Sequence, residues 1–470
     1  MRRLLDSPWL YFGLAGVLLV AAIASQFRIG PEPLPTGTVD DLQKLRDRDD
    51  LNVVFVLVDT LRADRLGAYG YERPTSPNLD ALAARGIRFE NVEAQSSWTK
   101  TSMASLWTGR YPQSTGILRH SDVLPEQARM PAEILSDAGF RTAGLFRNGW
   151  VSSNFGFAQG FDLYVKPQPN FDIERFKRRS PSAHPLKGSD LDLTQSAQEF
   201  LRANHDQRFF LYVHYMDVHQ YVYDSNSNLF GTSFSDIYDN SIHWTDLNFG
   251  NLVHTIEGLG LADRTLYVIA ADHGEAFFEH GSEGHAKTLY REVQRTPLLI
   301  VPPFALPEAV TVQTQVANID VWPTLLDVLG LDGLLEPDGR SLLPLIVAAG
   351  HGEEESAVEE LAGRRVYSQL DRSWGRPRAV PNNYVAVVDP PWRLHYKVRH
   401  PKQTELFDRS RDPLEVEDFV RSDPEVAERL VGLAEAYLKE HAPLWDVGSV
   451  ELGDMELNQL RALGYDVGKK

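Results

Sequence analysis

The sequence has no cysteine in its 470 residues. That absence excludes disulfides, thiolate metal ligands, iron–sulfur clusters and a cysteine nucleophile. Basic charge is also short: 47 Lys and Arg stand against 65 Asp and Glu, for a net charge of −18. So acidic a chain is not a general nucleic-acid binder, although a locally basic pocket can still hold an anion. Internal repeats and low-complexity tracts are missing too. What remains is 43% hydrophobic and 24% charged, a globular composition with enough chain for one large domain or two to three smaller ones.

Between Asp6 and Arg28 lie 21 uncharged residues, including the run LYFGLAGVLLVAAIA. About 20 apolar residues span the hydrocarbon core of a bilayer. Arg2 and Arg3 precede the run, so residues 1–28 are expected to form a transmembrane signal anchor with the N-terminus cytoplasmic. The rest of the chain would then be membrane-anchored and extracytoplasmic, on a periplasmic or extracellular face. Ala22-Ile23-Ala24 before Ser25 offers a signal-peptidase site, and cleavage there is the alternative.

Residues 29–50, with GPEPLPTG and then mixed charge, read as a linker. From residue 51 short apolar strands alternate with helical stretches. NVVFVLV, RTAGLFR, FFLYVHYM, TLYVIAA and PLLIV read as strands. TSPNLDALAARG, PAEILSDAG, LTQSAQEFLRAN, residues 237–259 and VWPTLLDVLG read as helices. The alternation predicts an α/β domain over 51–347, with a largely parallel central sheet flanked by helices. Residues 348–470 read as a smaller C-terminal α+β subdomain.

In an open α/β sheet, ligands bind beyond the carboxyl ends of the strands. Two predicted strands end there in polar residues: NVVFVLV in Asp59-Thr60, and TLYVIAA in Asp272-His273-Gly274-Glu275. A carboxylate directly after a buried strand costs desolvation unless it is paired or metal-bound. Asp59, Asp272 and His273 together favour a divalent metal, and their mixed oxygen and nitrogen donors suit zinc or manganese better than calcium. In SSWTKTSMASLWTGRYP, Thr99 precedes a predicted short helix from Lys100 to Trp107, closed by Gly109. A hydroxyl at a helix N-terminus sits where an anion is favoured, and metal coordination would make it a nucleophile. Taken alone, such a threonine is an ordinary helix cap.

Three segments in this order, NVVFVLVDTLRADRLGAYGYERPTSPNLDALAARGIRFENV, WTKTSMASLWTGRYP and ADHGEAFFEHGSEGHAKTLY, resemble the sulfatase-like branch of the alkaline phosphatase superfamily. The likeness runs on through FFLYVHYMDVH, DVWPTLLDVLG and ELFDRSRDPLE, and covers roughly residues 51–470. It implies a metal-activated nucleophile that attacks a sulfate or phosphate ester and forms a covalent intermediate. Three departures bear on the subtype. Sulfatases place a Cys or Ser, oxidised to formylglycine, at the head of a C/S-x-P-S-R motif, where this chain has Thr99-Lys100-Thr101-Ser102-Met103. They carry a second aspartate where Thr60 stands, and an asparagine where His273 stands. A threonine with two aspartates and a histidine looks like the family's phosphodiesterases and phosphotransferases.

The resemblance therefore implies a phosphoric ester over a sulfuric one, hydrolysed through a phospho-threonine, with Thr99, Asp59, Asp272 and His273 around one metal ion. A phosphotransferase, a sulfatase lacking formylglycine and a non-catalytic binding protein remain the alternatives. His219 and His285 are candidates to protonate the leaving alcohol. Lys100, Asn148 and Lys287 are candidates to meet the anion. A second ion, if present, would draw on Asp217, His219 and His285, or His280. Arg62 and Asp64 are expected to buttress the site. The expected partners are an anionic ester and the membrane, with no nucleic acid and no protein partner inferred.

Overall fold

The computed structural model describes residues 12, 16, 33–169, 188–355, 364–376, 379–451 and 453. At its centre is the strand Asn52–Val58, every residue of it buried. Val53, Phe55 and Leu57 pack on one face of the sheet and Val54, Val56 and Val58 on the other. Burial on both faces is why the run is apolar throughout instead of alternating. Parallel neighbours flank it, Phe209–Tyr215 on one side and Thr265–Ala270 on the other. Beyond Phe209–Tyr215 follow Arg141–Phe146 and Leu163–Val165, also parallel.

The other half of the sheet departs from the expected, largely parallel arrangement. Leu298–Val301 lies antiparallel between Thr265–Ala270 and Ile87–Glu93, and Arg295–Thr296 is antiparallel to Ile87–Glu93 as well. Val310–Ala317 then pairs parallel with Ile87–Glu93. The sheet is therefore mixed. The physical reason is the connection: after Ala270 the chain makes a long excursion over the carboxyl edge and returns beside its own strand, and an antiparallel neighbour needs no crossover helix. This half of the sheet also holds two strands outside the sequence expectation, IRFENVE and VTVQTQVA, despite their period-two alternation.

Helices cover both faces of the sheet. The helix Thr99–Thr108 is fully buried and ends at Gly109, whose φ of 65° is the left-handed closure that glycine favours. Trp107 near its end stacks on Trp322 at 5.3 Å and meets Tyr212 edge-on at 5.0 Å. Each such pair adds about 0.5–1.5 kcal/mol beyond burial; Tyr212 fastens this helix to the sheet and Trp322 to the helix Val321–Val328. A four-stranded antiparallel sheet follows, Val366–Asp371, Asn383–Asp389, Trp392–Lys397 and Glu405–Asp408. One face of it packs Val385, Val387, Leu394 and Tyr396 against Leu430, Ala434 and Tyr437 of the helix Pro424–Glu440.

The membrane-anchored location expected from the N-terminal run is corrected here. No helix among the described residues is long and apolar enough to cross a membrane. The run itself lies outside the described residues apart from Phe12 and Gly16. A basic stretch of the sequence, RFKRRSPSAHPLK at 175–187, lies outside them too.

Candidate active site

Register brings the two strand-end aspartates together. Leu57 pairs with Ala270, so two residues further on Asp59 and Asp272 emerge side by side at the carboxyl edge. Thr60 takes φ 63°, a strained conformation for a β-branched residue. Its backbone N–H donates to Asp272 Oδ1 at 3.2 Å, and Tyr238 Oη donates to its carbonyl at 2.7 Å. Asp272 Oδ1 also accepts from the His273 N–H at 2.9 Å. Asp59 Oδ2 accepts from Asn148 Nδ2 at 2.6 Å and faces His214 Nε2 at 3.1 Å.

That leaves two buried carboxylate oxygens, Asp59 Oδ1 and Asp272 Oδ2, accepting no hydrogen bond. His273 completes the cluster. Its Nδ1 bonds the Gly274 carbonyl at 3.0 Å and so carries the proton. Nε2 then presents a lone pair, 3.3 Å from Asp272 Oδ2 and 3.2 Å from Thr99 Oγ1. Lone pairs that face each other in a buried pocket are what a cation resolves. One ligand atom from each of Asp59, Asp272 and His273 lies within 4.8 Å of the others, and all three residues are buried. The donor set therefore fits a divalent ion.

Thr99 is the first residue of its helix, fully buried, with Trp98 preceding it. Asn148 Nδ2 lies 3.5 Å from Thr99 Oγ1, and its amide is oriented by Oδ1 accepting from the Trp150 N–H at 2.9 Å. Trp98 stacks on Trp374 at 4.6 Å, which ties the start of the Thr99 helix to the C-terminal subdomain.

His285 and His219 lie over the cluster, with ring centroids 4.8 Å apart, and His285 is 4.7 Å from the His273 ring. Both Glu275 oxygens face His285 Nδ1, at 3.2 and 3.3 Å. Burial opposes charge on both members of this pair, yet their mutual attraction outweighs it. The Glu275 carboxyl is lowered and the His285 imidazole raised. His219 has the opposite balance, and burial pushes it down to about 4. Burial likewise opposes charge on Asp59, but His219, His214 and His273 together hold it low, while burial and the Asp59 charge raise Asp272.

The remaining candidates lie elsewhere. Lys100 is buried, with Nζ donating to the His120 carbonyl at 2.8 Å and centred 3.6 Å from the Phe155 ring. Lys287 is exposed and donates to the Glu283 carbonyl at 2.6 Å. Asp217 is saturated: Oδ1 accepts from Arg147, and Oδ2 from the Asp190 N–H at 2.7 Å and from Trp244 Nε1 at 2.8 Å. It therefore does not gather with His219 and His285 as a second ligand set among the described residues. His280 bonds Glu292 at 2.9 Å and the Glu415 carbonyl at 2.8 Å. Arg62 is clamped on Asp64 at 2.8 and 2.9 Å and also donates to the Glu275 carbonyl, bracing the loop after Asp272.

Two contributors escaped the sequence reading, His214 and Glu275. The first is a histidine inside an apolar strand paired with the Asp59 strand, where Leu57 matches His214. The second belongs to the Asp272-His273-Gly274-Glu275 motif, but only the fold shows that it turns toward His285.

Residues 51–331 match the family profile described as Sulfatase, more than half of the chain. The chain belongs to the sulfatase family. A second profile, described as N-sulphoglucosamine sulphohydrolase, C-terminal, matches residues 279–440 of this sulfatase-family chain. An ulvan-active sulfatase of Formosa agariphila is 26% identical over 325 residues, which are 61% of this chain and 63% of that protein. The chain thus spans less than two thirds of that relative. The steryl-sulfatase of Rattus norvegicus is 23% identical over 491 residues, 77% of this chain and 84% of that one. Among solved structures, the phosphonate monoester hydrolase of Agrobacterium radiobacter shares the fold with a TM-score of 0.64 at 18% identity. That alignment covers 86% of this chain and 100% of the other. Sulfatases predominate among these curated relatives, whereas Thr99 led to the expectation of a phosphoric ester.

Proposed function

We propose that this enzyme hydrolyses an ester of a tetrahedral oxyanion by transferring the sulfuryl or phosphoryl group to Thr99 Oγ1. The observation that supports it most is the Thr99 hydroxyl, 3.2 Å from His273 Nε2, beside two buried carboxylate oxygens that accept no hydrogen bond. Asp59, Asp272 and His273 would hold one divalent ion, zinc or manganese by donor chemistry. Such an ion supplies positive charge to the substrate's oxygens and lowers the pKa of the attacking hydroxyl.

The chain's own groups do the rest. Asn148 Nδ2 holds Asp59 Oδ2 and lies within reach of Thr99 Oγ1, orienting both. Thr99 Oγ1, its proton given up to solvent and recovered from it when Thr99 is released, attacks the sulfur or phosphorus in line, and the bond to the alcohol oxygen breaks. His285, whose Nδ1–H is held by Glu275, gives its Nε2 proton to the departing oxygen. Water then attacks the same sulfur or phosphorus, and His285 takes back a proton as Thr99 is released.

A sulfuric ester is the first reading, in line with the named relatives. A phosphoric ester is the second, and it is favoured by Thr99 itself. Threonine cannot become the formylglycine aldehyde, and the same fold carries a phosphonate monoester hydrolase. The test is turnover of 4-nitrophenyl sulfate, 4-nitrophenyl phosphate and a phosphonate monoester by the divalent-loaded enzyme and by Thr99→Ala. Loss of roughly a thousandfold or more in the variant is expected. Turnover confined to the phosphorus esters moves the second reading to first. Unchanged turnover in Thr99→Ala removes both.

A further inference from the structure

A cavity of about 680 Å³ opens where the edge strand Val310–Ala317 meets the C-terminal sheet. It shares no lining residue with the Thr99 centre. Its volume lies in the range of small-molecule sites, about 300–1,000 Å³. Gln313 and Gln315 of the edge strand form one wall. The turn Asp389–Pro391 and the segment from Arg409 to Pro413 form another, and Arg291 closes it.

The lining is basic, in a chain of net charge −18. Two of its charged groups are already neutralised. Arg364 holds Asp320 through two bonds, at 2.7 and 2.5 Å, and Asp389 is bound by Arg429. Arg291 and Arg409 are not so matched. Arg409 donates to Gln315 Oε1 at 3.0 Å, and its pairing with Glu93 is stretched to 4.0 Å. Glu93 is itself gripped by Arg393 at 2.5 and 3.2 Å. Arg291 donates to the Pro413 carbonyl, and no carboxylate lies within ion-pair distance of it among the described residues. Burial lowers both guanidinium pKa values. Arg295 and Arg409 add to that at Arg291, against Asp64 and Glu415. Arg393 and Arg295 add to it at Arg409, against Glu93 and Glu415. Both stay charged, with a net bias the carboxylates do not cancel. Like charges placed together at the wall of a cavity call for an anion, and guanidinium forks suit its oxygens.

We propose that Arg291 and Arg409 form a second anion site, which takes the sulfate or phosphate group of a small molecule. Pro390 and Pro391 give the cavity an apolar wall against which a carbon skeleton can lie. The site stands apart from the hydrolase reading, since none of its residues takes part in that chemistry. The anion has two sources, a free inorganic ion or a group carried on a sugar.

Titration calorimetry of the full chain with inorganic sulfate, inorganic phosphate, glucosamine 6-sulfate and glucose 6-phosphate tests it. In Arg291→Gln/Arg409→Gln, the affinity of whichever probe binds should fall by about tenfold or more. Binding of the inorganic ions identifies the free anion as the source, and binding of the sugar esters alone identifies the carried group. Equal binding by the double variant, or no binding to wild type, overturns the proposal. A second readout needs no variant. Saturating probe should slow phenylglyoxal modification of Arg291 and Arg409 in wild type about threefold or more, followed by peptide mass spectrometry. Unchanged modification refutes the site even if the double variant does not fold.

Discussion

Substituting Asp272→Asn should change stability in opposite directions with and without a divalent ion. In the metal-free protein, Asp59 and Asp272 bring two carboxylates into a buried cluster whose ligand atoms lie within 4.8 Å of one another. Two unit charges at that separation repel by about 3 kcal/mol at an effective dielectric constant near 20. Asparagine removes this repulsion and keeps Oδ1, which continues to accept from the Thr60 and His273 N–H groups. Its new Nδ2 stands where Oδ2 was, 3.3 Å from the His273 Nε2 lone pair, and can donate to it. The metal-free variant should therefore be more stable than metal-free wild type by roughly 1–3 kcal/mol at pH 8, well above the ordinary carboxylate range.

Divalent ion reverses the order. Bound at about a hundred times its dissociation constant, it stabilises wild type by about 2.7 kcal/mol. The variant has lost a charged ligand and should gain much less. Thermal melts of EDTA-treated protein, before and after reloading with zinc, manganese or calcium, read both signs. A metal-free variant that melts below metal-free wild type would refute the reasoning, as would a wild type indifferent to every ion.

Three further outcomes are expected. His285→Gln keeps a donor toward Glu275 but loses the proton for the leaving group, so kcat on alkyl esters should drop roughly 10²–10⁴-fold. Activated 4-nitrophenyl esters, which leave without help, should be nearly spared; an equal loss on both would contradict the acid role. His280 gives a pH signature. Burial pulls it down, but Glu292 and the Glu415 carbonyl outweigh burial and raise it to about 8 from 6.5. A raised folded-state value stabilises fully below pH 6.5 and loses that contribution as pH rises through 8. With the side chain keeping some exposure to solvent, the loss should be about 1 kcal/mol. Denaturant midpoints of wild type should fall across that window, and those of His280→Gln should not. Trp374→Ala removes the stack on Trp98 and should cost about 3–5 kcal/mol of stability. It should also lower kcat/KM through the position of Thr99; a stability loss under 1 kcal/mol would show that the tie between the two parts is weak.

The strongest readings came from runs with a single explanation. NVVFVLV is apolar at every position and became the doubly covered central strand. The strand-end aspartates followed from it, because a carboxylate after a buried strand needs a partner. IRFENVE and VTVQTQVA were passed over, since alternation in a short stretch competes with loop and helix readings. IRFENVE lies where the sheet becomes mixed, antiparallel to Leu298–Val301 and Arg295–Thr296 and parallel to VTVQTQVA. His214 and Asn148 illustrate the same limit at the site: only pairing across strands brings either one to Asp59 Oδ2.

By itself, the sequence determined the chemistry that is unavailable, through its missing cysteines and through Thr99 where the family's C/S-x-P-S-R motif places Cys or Ser. It also determined the family, because family motifs are local strings of residues around the reacting centre. Tertiary structure decided which candidates meet. Asp59, Asp272, His273 and Thr99 converge, Glu275 turns onto His285, and Asp217 and Lys100 are drawn into other contacts. The reason is physical: a residue's type is set along the chain, but its partners are set by strand register and by which buried polar groups must satisfy one another.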